Sequence, residues 1–188
     1  DGSVWTVLYS VAKPAAWDIK QAMFSIVGEI DPNGESSART AKFDNFSTNA
    51  AKVDNFNDGV IQGWWQKANA AGGTWLGSGG TPPTVSETGG AISLANANAT
   101  SKDGYLTKGT YNLTDSYVMV ELTGPPPASG GGCSVETGLD IELDSSGYNS
   151  VDLYATGGYL HFEYQAGNWN WINASSPITF NTTNHRWL

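Results

Sequence analysis

The clearest chemical potential in this chain lies in Leu139-Asp140-Ile141-Glu142-Leu143-Asp144, where aliphatic and acidic residues alternate without a break. A period of two puts Asp140, Glu142 and Asp144 on one face of an extended strand and the aliphatics on the other. Same-face neighbours on such a strand stand roughly 6.6–6.8 Å apart at Cα. Carboxyl groups can narrow or widen that gap, so the carboxyl spacings of both retaining and inverting glycosidases are within reach. The plainer reading, and the expected one, is a solvated face of an antiparallel sheet. A cation site is the third alternative and needs further oxygen ligands converging from other loops.

A second group is Asn168-Trp169-Asn170-Trp171. In an extended strand Trp169 and Trp171 share one face, beside a turn, with Asn168 and Asn170 interleaved. An indole ring stacks on the C–H face of a sugar and the amides bond its hydroxyls, so the group can serve as a glycan platform. Core packing or a subunit contact are the competing uses of the same residues. His161 and His185 lack metal-ligand spacing to each other or to Cys133, so structural roles are expected and no metal is assigned. Cys133 is the single cysteine, so no intrachain disulfide forms. It has no basic neighbour to activate its thiol. A nucleophile elbow and a phosphate-binding loop are both missing from the sequence, and no cofactor is expected.

Charge narrows the partners. The chain has 9 basic and 18 acidic residues, a net charge of −9, and no Lys or Arg between Lys108 and Arg186. Such a surface repels phosphate backbones, so nucleic acid is excluded as a partner. No apolar run approaches the length of a membrane helix, so membrane insertion is not expected. The chain begins at Asp1 without Met, which reads as a fragment or a processed product. Sequons at Asn45, Asn98, Asn112, Asn173 and Asn181 are candidate glycosylation points.

These residues need strands to position them, and strand patterns dominate. Val4–Tyr9, Met23–Ile30, Lys42–Phe46, Tyr117–Leu122, Leu139–Asp144, Val151–Tyr154, Tyr159–Tyr164 and Asn168–Ile172 all read as strands, separated by Gly-, Ser- and Asn-rich turns. Pro14–Trp17 reads as a single helical turn, and residues 66–90 as a long loop with one short strand at most. Trp5, Trp17 and Trp187 are expected in the core, and at most one of Trp64 and Trp65. Short strands without helices specify an all-β fold, an antiparallel two-sheet β-sandwich.

One repeat bears on organisation. Ala41-Lys42-Phe43-Asp44-Asn45-Phe46 recurs as Ala51-Lys52-Val53-Asp54-Asn55-Phe56 with one position changed. This pattern suits the closing strand of one β unit running into the opening strand of the next. Residues 1–50 then supply the C-terminal strands of one sandwich unit, and 51–188 the main body. That body is completed by residues 1–50 of the same or a neighbouring chain.

Val53-Asp54-Asn55-Phe56-Asn57-Asp58, Gly104-Tyr105-Leu106, Tyr111-Asn112-Leu113-Thr114, Glu136-Thr137-Gly138-Leu139 and His185-Arg186-Trp187-Leu188 follow one another in order. In this order they resemble the opening of concanavalin A-like lectin/glucanase (jelly-roll) domains of phage tail and bacterial surface proteins. In that family the last motif leads through a hairpin to an Asp-Gly-Ser-x-Trp segment, and this chain begins with Asp1-Gly2-Ser3-Val4-Trp5. The resemblance is therefore in permuted order. It implies a jelly roll and a non-catalytic structural or adhesive module of an extracellular fibre or phage tail. Its partners would be copies of itself, assembled head to tail or in tandem, and cell-surface glycans. The alternative it implies is a glycoside hydrolase or lyase of the glucanase type. Related glucanases carry Glu-x-Asp-x-Glu on one strand; residues 140–144 read Asp-x-Glu-x-Asp, which departs from that order.

Overall fold

The computed structural model describes residues 7–30, 39–49, 53–67, 84–96, 101–124, 135–143, 148–168, 170–173, 178–181, 183–185 and 187–188. Its strands are β1 (Met23–Ile30), β2 (Arg39–Thr48), β3 (Val53–Asp54), β4 (Trp65–Lys67), β5 (Thr84–Glu87), β6 (Ile92–Asn96) and β7 (Ser101–Thr107). They continue with β8 (Val118–Leu122), β9 (Val135–Glu142), β10 (Asn149–Thr156), β11 (Tyr159–Ala166), β12 (Ile172–Asn173) and β13 (Ile178–Thr179). No helix occurs among the described residues. The strands form two antiparallel sheets packed face to face, as in a β-sandwich.

The larger sheet runs β12-β11-β10-β9-β1-β7-β4, with β13 on another stretch of β11. The smaller runs β3-β2-β6-β5, with β8 also on β2. Phe43 pairs with both Ile92 and Leu122, and Ser47 with both Val53 and Met119. So β6 and β3 occupy successive lengths of one edge of β2, and β8 the other. Phe46 of the first near-repeat copy thus pairs antiparallel with Asp54 of the second.

Alternation along each strand builds the core. Phe24, Ile26, Leu139, Ala155 and Leu160 from the larger sheet meet Phe43, Phe46, Ile92, Leu94, Val120 and Leu122 from the smaller. Each fully buried side chain of this size contributes about 1.5–3 kcal/mol of burial free energy. Phe46 contacts Phe24, Trp64 and Trp65 at ring centroid distances of 6.1, 5.7 and 4.8 Å. β1 and β2 sit inside the sheets, between strands from the later chain. Leu188 closes onto β8 through backbone hydrogen bonds with Val120 of 2.9 and 3.0 Å.

Met23–Ile30 forms the expected strand, and the two-residue turn at Gly157-Gly158 joins β10 to β11. Both glycines take positive φ, 57° and 83°, which a two-residue hairpin of this hand demands. Other expectations are corrected. Val7, Leu8 and Tyr9 are not in a strand and Val7 is exposed, while residues 1–6 lie outside the described residues. Pro14–Trp17 closes as one hydrogen-bonded turn, Trp17 N–H to Pro14 C=O at 3.2 Å, with no helix. β4 and β5 lie where one short strand at most was expected. Trp65 is buried and Trp64 packs on the same core, their centroids 4.4 Å apart. A turn closed by Trp65 N–H on Gln62 C=O removes the extended geometry that would separate them. Trp17 is buried; Trp187 is only partly so; Trp5 and Trp75 lie outside the described residues.

Candidate functional site

The side chains that alternate with the core residues of β1, β9, β10 and β11 point to the other face of the larger sheet. The strand register aligns them in rows. Ser25 stands opposite Asp140, Asp140 opposite Asp152, and Asp152 opposite Glu163. The adjacent row runs Met23, Glu142, Ser150, Gln165. Adjacent strands are about 4.8 Å apart, so directly opposed side chains are neighbours. Four carboxyl residues thus gather from three consecutive strands, β9, β10 and β11.

The expectation of a solvated face at Asp140 and Glu142 is wrong. Asp140 is 3% exposed and Glu142 6%, and Ser150 and Gln165 beside them are buried as well. Asp152 and Glu163 are half-buried. Alternation distinguished the two faces of β9 but carried no sign that the polar one is buried. Asp144 lies outside the described residues. Ser25 is fully buried, and its Oγ has no hydrogen-bond partner. In the next row Gly138 stands opposite Tyr154 and Tyr154 opposite His161. The Tyr154 and His161 rings stack at 5.0 Å and 4°. The missing side chain of Gly138 admits Tyr154, because a Cβ there would lie 2.6 Å from the Tyr154 Cβ. Among the described residues no three acidic, His or Cys side chains converge to hold a metal ion.

The second sequence-derived group adjoins this face. Ile172 pairs with Tyr164, so Trp171 stands at the register position next to Gln165. Asn168 and Asn170 are exposed, and Trp171 is 45% exposed. Asn170 N–H donates to Asn168 Oδ1 at 2.9 Å, which makes this segment a turn rather than the expected strand. Trp169 lies outside the described residues. The structure therefore brings Asp140, Glu142, Trp171, Asn168 and Asn170 to neighbouring rows and the rim of one face. Sequence reasoning missed Ser25, Asp152, Glu163 and Gln165, whose only signal was their period-two position on other strands.

The sequons differ in setting. Asn112 and Asn181 are exposed, each with Oδ1 accepting from the backbone of its own turn. Asn45 is half-buried and donates through Nδ2 to Glu121 at 2.7 Å, which occupies the nitrogen that would carry a glycan. The side chains of Asn98 and Asn173 lie outside the described residues. His185 accepts Asn181 N–H through Nδ1 at 3.1 Å, a turn-closing role. Cys133 lies outside the described residues.

A separate acidic group sits between the sheets. Asp54 accepts from Phe56 N–H at 2.9 Å and from Trp65 Nε1–H at 3.0 Å. Burial nevertheless raises its carboxyl above the ordinary range. Glu87 is raised chiefly by burial; the Tyr105 hydroxyl opposes the rise, and the negative charges of Asp54 and Asp58 add to it. Neither Glu87 oxygen completes a hydrogen bond of good geometry, so Tyr105 acts on it as a nearby dipole. The Tyr105 phenol is pushed up by burial first and by Glu87 second. Asp44 is raised too, mainly by burial.

A raised carboxyl holds its proton more tightly in the folded state. Its stabilising contribution is complete below the ordinary value, 3.8 for Asp and 4.5 for Glu, and is lost as pH rises through the folded value. The urea midpoint is therefore expected to fall between about pH 4.5 and neutrality. Glu87→Gln is expected to flatten that decline. A midpoint that climbs steadily to pH 7 would contradict the assignment.

Compared with the models of known protein families, with curated proteins and with solved structures, the chain matches none.

Proposed function

We propose that this chain is a non-catalytic glycan-binding β-sandwich, with the outer face of β9, β10 and β11 as its binding face. The observation that carries the proposal is a polar, largely buried sheet face turned away from the hydrophobic core, with Trp171, Asn168 and Asn170 at its rim. Carboxylates accept from sugar hydroxyls, the amides both donate and accept, and the indole offers a stacking surface.

The concanavalin A-like jelly roll in permuted order belongs to the same proposal. Its support is the antiparallel pairing of β2 with β3, through Phe46 and Asp54 of the two near-repeat copies. In an unpermuted unit these would be the two chain ends, and a permutation requires ends that lie close together. We further propose an extracellular or virion-surface setting, in an array or head-to-tail fibre of such units. High-concentration sedimentation tests the fibre; a protein that stays monomeric counts against it.

Intact protein on a glycan array is expected to give a saturable signal. Trp171→Ala is expected to reduce it about tenfold, a loss of about 1.4 kcal/mol, with an unchanged circular dichroism spectrum. A silent array from folded protein would end the proposal. One observation favours glycoside hydrolysis as a second reading. Asp140 and Asp152 stand directly opposite on adjacent strands, which suits the roughly 5–5.5 Å carboxyl separation of retaining enzymes. Reducing-sugar release from a polysaccharide panel, abolished by Asp152→Asn, would decide for it.

A further inference from the structure

Taking the outer face of β9, β10 and β11 as the glycan-binding face, which rests on the proposal above, its reachable side chains set the form of the ligand. Asp140, Glu142 and Ser25 are buried and take no part. The reachable residues lie on β11 and beside β12. Leu160 and Tyr164 pack on the core, so the alternate residues Tyr159, His161 and Glu163 line the outer side of β11. Tyr159 is 47% exposed, and His161 and Glu163 are half-buried. The parallel stack on Tyr154 at 5.0 Å fixes the plane of the His161 ring. Among the described residues neither the His161 ring nor the Glu163 carboxyl has a hydrogen-bond partner. At the far end of this line Trp171 stands at the register position next to Gln165, one strand beyond it. It is 45% exposed. Two exposed aromatic residues thus mark the ends of one strand, with an imidazole and a carboxyl between them.

The spacing decides what fits. Tyr159 lies about 20 Å along β11 from Gln165, at about 3.3–3.4 Å per residue. One sugar ring cannot touch both aromatic residues; a chain of sugars can. Aromatic rings stack on sugar C–H faces, and imidazole and carboxyl groups bond hydroxyls. β1, β9, β10 and β11 contain no Lys or Arg, so a uronate or sulfate would meet Glu163 with no cation on these strands to offset the repulsion. We propose that this face binds an extended neutral glycan chain running along β11. Tyr159 and Trp171 stack on sugars several units apart, and His161 and Glu163 bond hydroxyls between them. The site therefore reads a stretch of polymer rather than a terminal sugar. Once one end is held, the other meets its platform at high effective concentration, so two weak contacts act as one stronger one.

The test is calorimetric titration of the full chain with β-1,4-linked glucose, xylose and N-acetylglucosamine oligomers, from dimer to hexamer, and with a galacturonate hexamer. In a series that binds, affinity is expected to rise about tenfold or more from dimer to hexamer. The galacturonate hexamer is expected to bind more weakly than the neutral one. Tyr159→Ala is expected to weaken hexamer binding about tenfold and to leave dimer binding within about twofold, because a dimer occupies one platform at a time. Tyr159→Phe keeps the ring and is expected to keep the native affinity. Affinity that does not grow with length, or a Tyr159→Ala protein that binds the hexamer as the native chain does, overturns the extended-chain reading and leaves glycan binding standing. Equal losses for dimer and hexamer in Tyr159→Ala overturn it as well, since they show a single platform. A galacturonate hexamer that binds as tightly as the neutral ones overturns the preference for a neutral chain. No binding of any oligomer overturns both this inference and the glycan-binding proposal.

Discussion

Trp65→Ala is expected to remove about 5 kcal/mol or more of folding free energy, a large part of the roughly 5–15 kcal/mol available to a domain. Two losses combine. Trp65 is 1% exposed and touches Phe46, Trp64 and Tyr105 at centroid distances of 4.8, 4.4 and 5.7 Å. Deleting so large a buried ring costs about 3–5 kcal/mol through lost burial and the cavity left behind. The indole N–H also donates to Asp54 Oδ2 at 3.0 Å in a buried setting. Without it a desolvated carboxyl loses a donor, at a further cost of about 1–3 kcal/mol. Trp65→Phe separates the two losses, because it fills most of the volume and removes only the N–H. Guanidinium denaturation is expected to place the phenylalanine variant about 2–3 kcal/mol below the native chain and the alanine variant well below that. An alanine variant within about 1.5 kcal/mol of native would show that the two sheets do not depend on this residue.

Gly104→Ala carries the second large effect, and its origin is the main chain. A Cβ at Gly104 would collide with the Ile26 carbonyl oxygen and fall 2.7 Å from its carbon. Backbone atoms cannot rotate aside as a side chain can, so β7 must withdraw from β1. Overpacking costs about 1–3 kcal/mol when side chains can adjust. Here the upper end is expected, about 3 kcal/mol, or roughly 6–12 °C in thermal midpoint for a chain of this length. A Gly104→Ala protein with an unchanged midpoint would mean that β1 and β7 are not held at this spacing. The glycine lies in Gly104-Tyr105-Leu106, where glycine inside a strand marks close backbone approach.

Much of the sheet was legible in the chain. Met23–Ile30 and Val118–Leu122 carry β-branched and aromatic runs bounded by turn residues. Val151–Tyr154 and Tyr159–Tyr164 do the same on either side of a Gly-Gly turn. In each case local propensity, side-chain period and turn chemistry agree. The strands that escaped notice had no such agreement. Ser101-Lys102-Asp103-Gly104 has no apolar alternation, yet it pairs along the whole of Glu29–Val27 and its neighbours. Residues 84–87 pair with β6 through a Gly89-Gly90 turn that a Gly-rich surrounding sequence concealed. The Trp169/Trp171 strand was misread because an Asn side chain can close a turn as readily as it can decorate a strand.

Residue order alone determined the all-β class, the Gly157-Gly158 hairpin and the division of the alternating strands into an apolar and a polar side. These depend on backbone sterics and on a period of two, both local properties of a chain. Tertiary structure alone decided that the polar side of β9 would be buried. It also decided that Ser25 and Asp152 would flank Asp140, with Glu163 beyond Asp152, and that an indole would donate to a carboxyl eleven residues away. Those facts depend on which distant strands become neighbours, and cross-strand register is fixed by the core as a whole.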